Sequence, residues 1–418
     1  MSKYSFSAGF VTLLALAGLL LAACGGAPIP APATLKIVSS LPMTGAVYDR
    51  VQKAKNAIER RLAQAGGKAC GGKYALVDEA WDDASAAKGT WDGAIETENA
   101  NKAARDPQIV VYIGPGNSGA AKFSIPILNR AGLAMISPMN TYPGLTKPGK
   151  GEPDEPDKYY PTGIRNYTRV MAADDIQGAV AASFVSQQGV RSVYLLDDGE
   201  LYGKGVADVF EKTALKIGLT VLGRKTIDIK AADYKALMNE IAASNAGGPP
   251  DAIYAGVIYV NNAAQVLKDK VAVMGNQSRV KYIVPENLHA QSFIDAVGAA
   301  DAEGVYVSLP GVSPSALPAA GRQFIEDYEA EFGKLGSEVF ALYGYEALNV
   351  ALKAIEEVCA AGGKPTDRKA VRDALFAIKD FEGVLGTWSF DANGDTSLTQ
   401  TTFYVVKNGA FEAVKTFK

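Results

Sequence analysis

The chain has 418 residues, 48% of them hydrophobic and 21% charged, with 42 Lys and Arg set against 45 Asp and Glu for a formal net charge of −3. That is the make-up of a globular chain long enough for two domains, since a single core stops growing near about 250–300 residues. With charge almost balanced and no basic run beyond the first residues, nucleic acid is not an expected partner.

Lys3 followed by the apolar stretch Phe10–Leu21 has the form of an export signal. It is too short to span a bilayer, which takes about 20 apolar residues. Leu21-Ala22-Ala23-Cys24-Gly25 resembles a bacterial lipobox, in which the cysteine is acylated and becomes the new N-terminus. Residues 1–23 are therefore expected to be a lipoprotein signal peptide and Cys24 the lipidated residue. Residues 24–34, rich in Gly, Ala and Pro, then form an extended tether. The expected location is outside the cytoplasm, lipid-anchored to the outer face of the cell membrane or in the periplasm.

From Leu35 onward short apolar runs alternate with amphipathic stretches, the pattern of a parallel sheet covered by helices. Strands are expected at 35–40, 74–77, 109–113 and 134–136, with helices from about Asp49 to Ala65, from about Ser85 and from about Gly119; together they make one doubly wound unit. The segment Thr146–Pro161, dense in Pro, Gly and charge, marks a surface loop. A second unit has strands at 193–196, 220–223, 252–255, 281–284 and 304–308, with helices near 171–188, 203–217, 232–245 and 261–272. Beyond Pro310 the pattern is helical over 321–332, 339–361 and 367–378. Strand signals close the chain at 386–390 and 401–407, the last running into an Asn408-Gly409 hairpin turn.

Three features carry possible chemistry on paper. Gly114-Pro115-Gly116-Asn117-Ser118-Gly119 matches the G-x-G-x-x-G dinucleotide fingerprint at a helix start. The next strand, however, ends in Ser137-Pro138-Met139-Asn140-Thr141 instead of the acidic residue a ribose needs, so no cofactor is expected. The turn still offers N–H groups to an anion such as a carboxylate, with Ser118 adding a hydroxyl. Asp391-Ala392-Asn393-Gly394-Asp395 opens like a calcium loop but has Thr396 and Thr402 where glycine and glutamate belong, so a tight turn between strands is expected and no metal site. His289, the single histidine, lacks metal or triad partners and is expected to be a solvated or hydrogen-bonded surface residue. No catalytic set is present, and a non-enzyme is expected. Beyond Cys24, Cys70 and Cys359 are candidates for one disulfide in an oxidising compartment, with bonded and free forms both open at this stage.

Taken in order, "LPMTG", "YIGPGNSGAA", "ISPMNT", "DDGELYGKGVADVF", "YIVPEN" and "FEGVLGTWSFDANGD" resemble the substrate-binding proteins of branched-chain amino acid ABC transporters, over roughly 35–412. The resemblance implies the type I periplasmic binding protein fold, α/β with two Rossmann-like lobes joined by three crossovers around a ligand cleft. It places lobe 1 at 35–166 plus 311–383 and lobe 2 at 167–310 plus 384–418. It also implies a function, capture of a small amino acid or related zwitterion for a membrane permease. Carried over by position, Ser118 donates to the ligand carboxylate, with Gly119 taking that place in an alternative register. Met139 offers main-chain groups and Thr141 a hydroxyl; Tyr202 covers the ligand and Glu286 pairs with its ammonium. Ile258 or Tyr259 takes a family aromatic position, Phe340 lines the side-chain pocket, and Tyr48 lines the first loop. Two rivals stay open: a ligand-sensing receptor lipoprotein of the same fold, and an exported NAD-dependent enzyme built on the glycine motif.

Overall fold

The computed structural model describes residue 1 and residues 32–418; the signal segment, Cys24 and nearly all of the tether lie outside the described residues. Among the described residues no helix is long and apolar enough to cross a membrane.

Two sheets organise the body. The first has six strands, in the spatial order Lys68–Ala69, Tyr74–Asp82, Ala33–Leu41, Ile109–Ile113, Ala134–Ser137, Tyr167–Arg169. Its Ile109–Ile113 and Ala134–Ser137 strands are wholly buried and nearly all apolar, as parallel strands covered on both faces must be. The second sheet has seven, ordered Thr220–Thr226, Ser192–Asp197, Ala252–Gly256, Lys281–Val284, Tyr306–Pro310, Thr401–Lys407, Ala410–Phe417. Five of these run parallel, and the last two add an antiparallel edge. Asn408 and Gly409, both at positive φ, close the final hairpin where the Asn-Gly pair predicts it.

The chain passes between the sheets three times, and two of the passages lie away from the expected boundaries. Tyr167–Arg169 pairs with Ala134–Ser137 in the first sheet, so the first passage follows Arg169 instead of preceding Tyr167. Trp388 and Phe390, expected in lobe 2, pack into the core of lobe 1 with Phe340, Ala347, Val371 and Leu375. Trp388 donates its indole N–H to the buried Glu346 carboxylate at 2.8 Å, which pins the 381–388 hairpin to the Phe340–Ala360 helix. The third passage therefore comes after Phe390.

That third passage contains the Asp391–Asp395 segment, which is a turn as expected but serves to carry a charge across. Asp391 Oδ1 accepts from the N–H groups of Asn393 and Asp395 at 2.8 and 2.9 Å. Gly394 sits at φ +88°, and a Cβ there would fall 2.4 Å from the Tyr167 carbonyl oxygen. The tight turn sends the Asp395 carboxylate inward to Arg169, whose side chain is fully buried, at 2.5 Å, and it also accepts from the Thr146 hydroxyl. Arg169 further donates to the Tyr142 carbonyl at 2.9 Å.

The structure joins Cys70 to Cys359, with Cα atoms 5.8 Å apart at a sequence separation of 289. His289 departs from expectation: it is buried, packs at a tilt against the Tyr404 and Phe411 rings, and sits with Nδ1 2.8 Å from the Ser337 carbonyl. Burial holds its imidazole down to about 4, so it is neutral at ordinary pH.

Removing one partner of a buried ion pair leaves an uncompensated charge in low dielectric. Arg169→Met is expected to lower the free energy of unfolding by about 3–5 kcal/mol. Urea unfolding at pH 7 checks this; a loss within 1 kcal/mol or so of zero would mean that Asp395 finds water once Arg169 is gone.

Candidate functional site

The C-terminal ends of the parallel strands in the two sheets feed loops into one cleft, as open α/β sheets commonly do. A small cavity of about 50 Å³ lies there. Six of the expected residues line it: Ser118, Met139, Tyr202, Ile258, Glu286 and Phe340.

Ser118 opens the Ser118–Arg130 helix. The first intrahelical bonds run from Ala120 and Ala121 N–H to the Asn117 carbonyl at 3.0 and 3.1 Å. The N–H groups of Ser118 and Gly119 therefore have no helix carbonyl to bond, and they concentrate positive potential at the cavity wall. Ser118 Oγ accepts from the backbone N–H groups of Thr141 and Tyr142, each at 3.3 Å. With its lone pairs so engaged, the hydroxyl has its own proton left to give. Gly119 does not line the cavity. It faces Trp91, where a Cβ would fall 2.5 Å from the ring, so its smallness serves helix packing.

Met139 reaches the cavity, but its N–H is spent on Ser137 Oγ at 3.2 Å, leaving only its carbonyl as a main-chain group to offer. Thr141 is fully buried just behind the wall. Its carbonyl accepts from Asp174 N–H at 2.8 Å, and its hydroxyl has no hydrogen-bond partner.

Across the cleft, Glu286 follows the Lys281–Val284 strand and is almost completely buried. Gln177 Nε2 donates to its Oε2 at 2.6 Å and is itself placed by Ser308, whose carbonyl and hydroxyl oxygens lie 3.0 Å away. One turn before Gln177 on the same helix stands Asp174, fully buried, with both carboxylate oxygens unpartnered. Burial, and after it the charge of Glu286, push the Asp174 carboxyl well above its ordinary range; burial likewise raises Glu286. Tyr202 and Tyr254 hydroxyls complete the group. Neither has a hydrogen-bond partner, and both phenols are raised by burial and by these two carboxylates.

Ile258 lines the cavity while its N–H is held by Asp198 Oδ2 at 2.8 Å. Tyr259 turns instead to an adjoining cavity of about 300 Å³, its N–H fixed by Asn287 Oδ1 at 2.7 Å. Tyr48 is about half exposed and does not reach the ligand cavity. The helix Tyr48–Gln64 presents Val51 and Arg50 there, with Val47 just ahead of it, three and four residues before them.

Residues that sequence reading overlooked are thus Arg50, Val47, Val51, Asn287, Gln177 and Asp174. Helical spacing puts Asp174 and Gln177 on one face, and Val47, Arg50 and Val51 on one stripe, without saying which face turns inward. Among the described residues no group of three or more His, Cys, Asp or Glu is placed to hold a metal ion. What the cavity offers is N–H and O–H donors on one side and the buried Glu286 carboxylate on the other, with Asp174 outside the lining but close enough to act on Glu286, an arrangement suited to a small molecule with separated negative and positive ends.

Residues 34–410 match the family model described as periplasmic binding protein. The chain is 28% identical to the Leu/Ile/Val-binding protein BraC3 of Rhizobium johnstonii, over 95% of this chain and 97% of that one. It is 25% identical to the leucine-, isoleucine-, valine-, threonine- and alanine-binding protein of Pseudomonas aeruginosa, over 89% of each. Its fold is shared with the leucine-binding protein LivK of Thermotoga maritima, with a TM-score of 0.77 at 22% identity, covering 92% of this chain and 99% of that one. The chain belongs to the periplasmic binding protein family.

Proposed function

We propose that this protein captures a small amino acid outside the cytoplasm and delivers it to the membrane permease of an ABC transporter. The observation that carries the reading is the convergence of unpartnered buried polar atoms on Glu286: both oxygens of Asp174, Gln177 Oε1, and the hydroxyls of Thr141, Tyr202 and Tyr254. Each such orphan costs about 1–3 kcal/mol, and more when charged. An ammonium group placed among them supplies the missing donors and the missing positive charge together. The ligand carboxylate then meets Ser118 Oγ and the free N–H groups at the helix start, and the side chain meets Val47, Val51, Ile258 and Phe340. Relatives that carry leucine, isoleucine and valine in their names support an amino acid of this size.

Ser118 and Glu286 stand on opposite lobes, so a ligand held by both favours the closed arrangement by its differential contacts. Within the lobe limits expected from sequence, moved to after Arg169 and after Phe390, the three passages act as the hinge. Lipidation at Cys24 with a Pro-rich tether keeps the receptor near its permease and raises its effective concentration there.

Calorimetric titration with a panel of amino acids is expected to show one-to-one binding. Glu286→Gln should weaken it by about 10- to 150-fold, the worth of a charge-assisted hydrogen bond. Absence of binding by every zwitterion, with Glu286→Ala behaving as wild type toward any other ligand, would refute the reading.

Proton linkage gives a second check. In the empty cleft the raised carboxyls of Asp174 and Glu286 hold protons to higher pH than free side chains do. An ammonium favours their ionised forms, so binding is expected to release protons and affinity to rise with pH through that raised range. Titrations in buffers of different ionisation enthalpy measure the release. It should shrink in Asp174→Asn.

For the anchor, Cys24→Ser is expected to shift the protein from the membrane to the soluble fraction of cells and to abolish labelling by a fatty-acid probe. Equal fractionation of the two forms would discard the lipid.

A further inference from the structure

Between the ligand cavity and the adjoining cavity of about 300 Å³ stands Arg50, which with Val47 lines both. Its side chain is 10% exposed. Nε donates to Glu338 at 3.0 Å, and Nη1 reaches across the cleft to the Asn287 carbonyl at 2.7 Å, while the guanidinium lies 5.2 Å from the centre of the Phe340 ring. Three anchors fix its plane. Among the described residues Nη2 makes no hydrogen bond within the protein, and neither does the side-chain amide nitrogen of Asn287 or of Asn117, both of which also line the ligand cavity.

A purely aliphatic side chain would cover these donors without replacing the water they lose, which is the costly way to bury a polar group. An acceptor would satisfy them. Charge then selects among acceptors. Glu338 already balances Arg50, so a second ligand carboxylate would find no unpaired cation there.

We infer that the ligand of this cleft carries a neutral hydrogen-bond acceptor at its far end, an amide or other carbonyl, received by the Arg50 guanidinium at the junction of the two cavities. This deepens the amino-acid reading and rests on it. The ligand class is an amino acid with an amide- or carbonyl-bearing side chain, and Arg50 is the residue that separates it from aliphatic ones of similar length. A site built around such a donor rejects an analogue lacking the acceptor far more strongly than an apolar pocket rejects an added polar group.

The test compares glutamine, asparagine and citrulline with leucine, norleucine and glutamate by calorimetry on the wild-type protein and on Arg50→Met. The expected result is that an amide- or ureido-bearing ligand binds about 10- to 100-fold tighter than norleucine and glutamate. Arg50→Met should erase that preference, the ratio of amide-ligand to norleucine affinity falling toward one, a readout that general damage to the fold would not produce. Leucine or norleucine binding the wild type as tightly as the amide ligands overturns this inference alone, without any variant being needed. Failure of every amino acid to bind overturns it together with the reading beneath it.

Discussion

The ion pair between Arg169 and Asp395 sets the geometry on which the cleft depends. Arg169 ends the last strand of the first sheet, and Asp395 lies on the chain's final passage between the sheets. Between them they also hold Thr146 and the Tyr142 carbonyl, and so fix the loop that presents Met139 and Thr141. Buried pairs of this type rarely add stability over apolar replacements of equal volume. Their use here is positional: one guanidinium, with its fixed fork of donors, ties two passages and a binding loop to a common origin.

Around that origin the two sides of the cleft are electrically unlike. Lobe 1 brings a helix start and hydroxyl donors, while lobe 2 with its leading helix brings Asp174, Gln177 and Glu286. Burial raises both carboxyls, with the charges of Arg169 on Asp174 and of Arg50 on Glu286 only partly offsetting it, and the fold bears that desolvation through the rest of its packing. Such local conflict is costly in an empty protein and is relieved when a cation of the right size arrives, which is how a binding site departs from the consistency that governs the core. The same reasoning accounts for the orphan hydroxyls of Tyr202 and Tyr254, which a packed interior would not otherwise retain.

The fold was legible in the sequence because its signals are periodic and local. Ile109–Ile113 and Ala134–Ser137 are continuous apolar runs, while Gly66 and Gly67 mark the end of the Tyr48–Gln64 helix and Asn408 and Gly409 the turn after Thr401–Lys407 by backbone conformation. The passages were harder. Tyr167–Arg169 is a three-residue strand containing an arginine, and only its pairing with Ser137 and its ion pair show where it belongs. Trp388 and Phe390 look like any strand until the buried Glu346 claims the indole. Of the residues gathered around the cavity, Ser118, Tyr202 and Glu286 were named through resemblance in motif order. Arg50 and Asp174 were not, since a charged residue near a helix start reads as a solvated or dipole-matching group, and only coordinates show that both are turned inward. His289 misled for a similar reason: a lone histidine with no partner in sequence gave no sign of the Tyr404 and Phe411 rings that enclose it.

The disulfide has a consequence for timing. The Phe340–Ala360 helix has Phe340 in the ligand cavity at its first turn and Cys359 at its last, and Cys359 is bonded to a strand-end residue near the other edge of the same sheet. A cytosol keeps such thiols reduced, and an oxidising compartment joins them. A newly made chain in the cytosol therefore has this helix fastened only by packing, and the covalent clasp arrives once the chain has crossed the membrane. The far end of the element that lines the cavity is thus locked only where the compartment itself is oxidising.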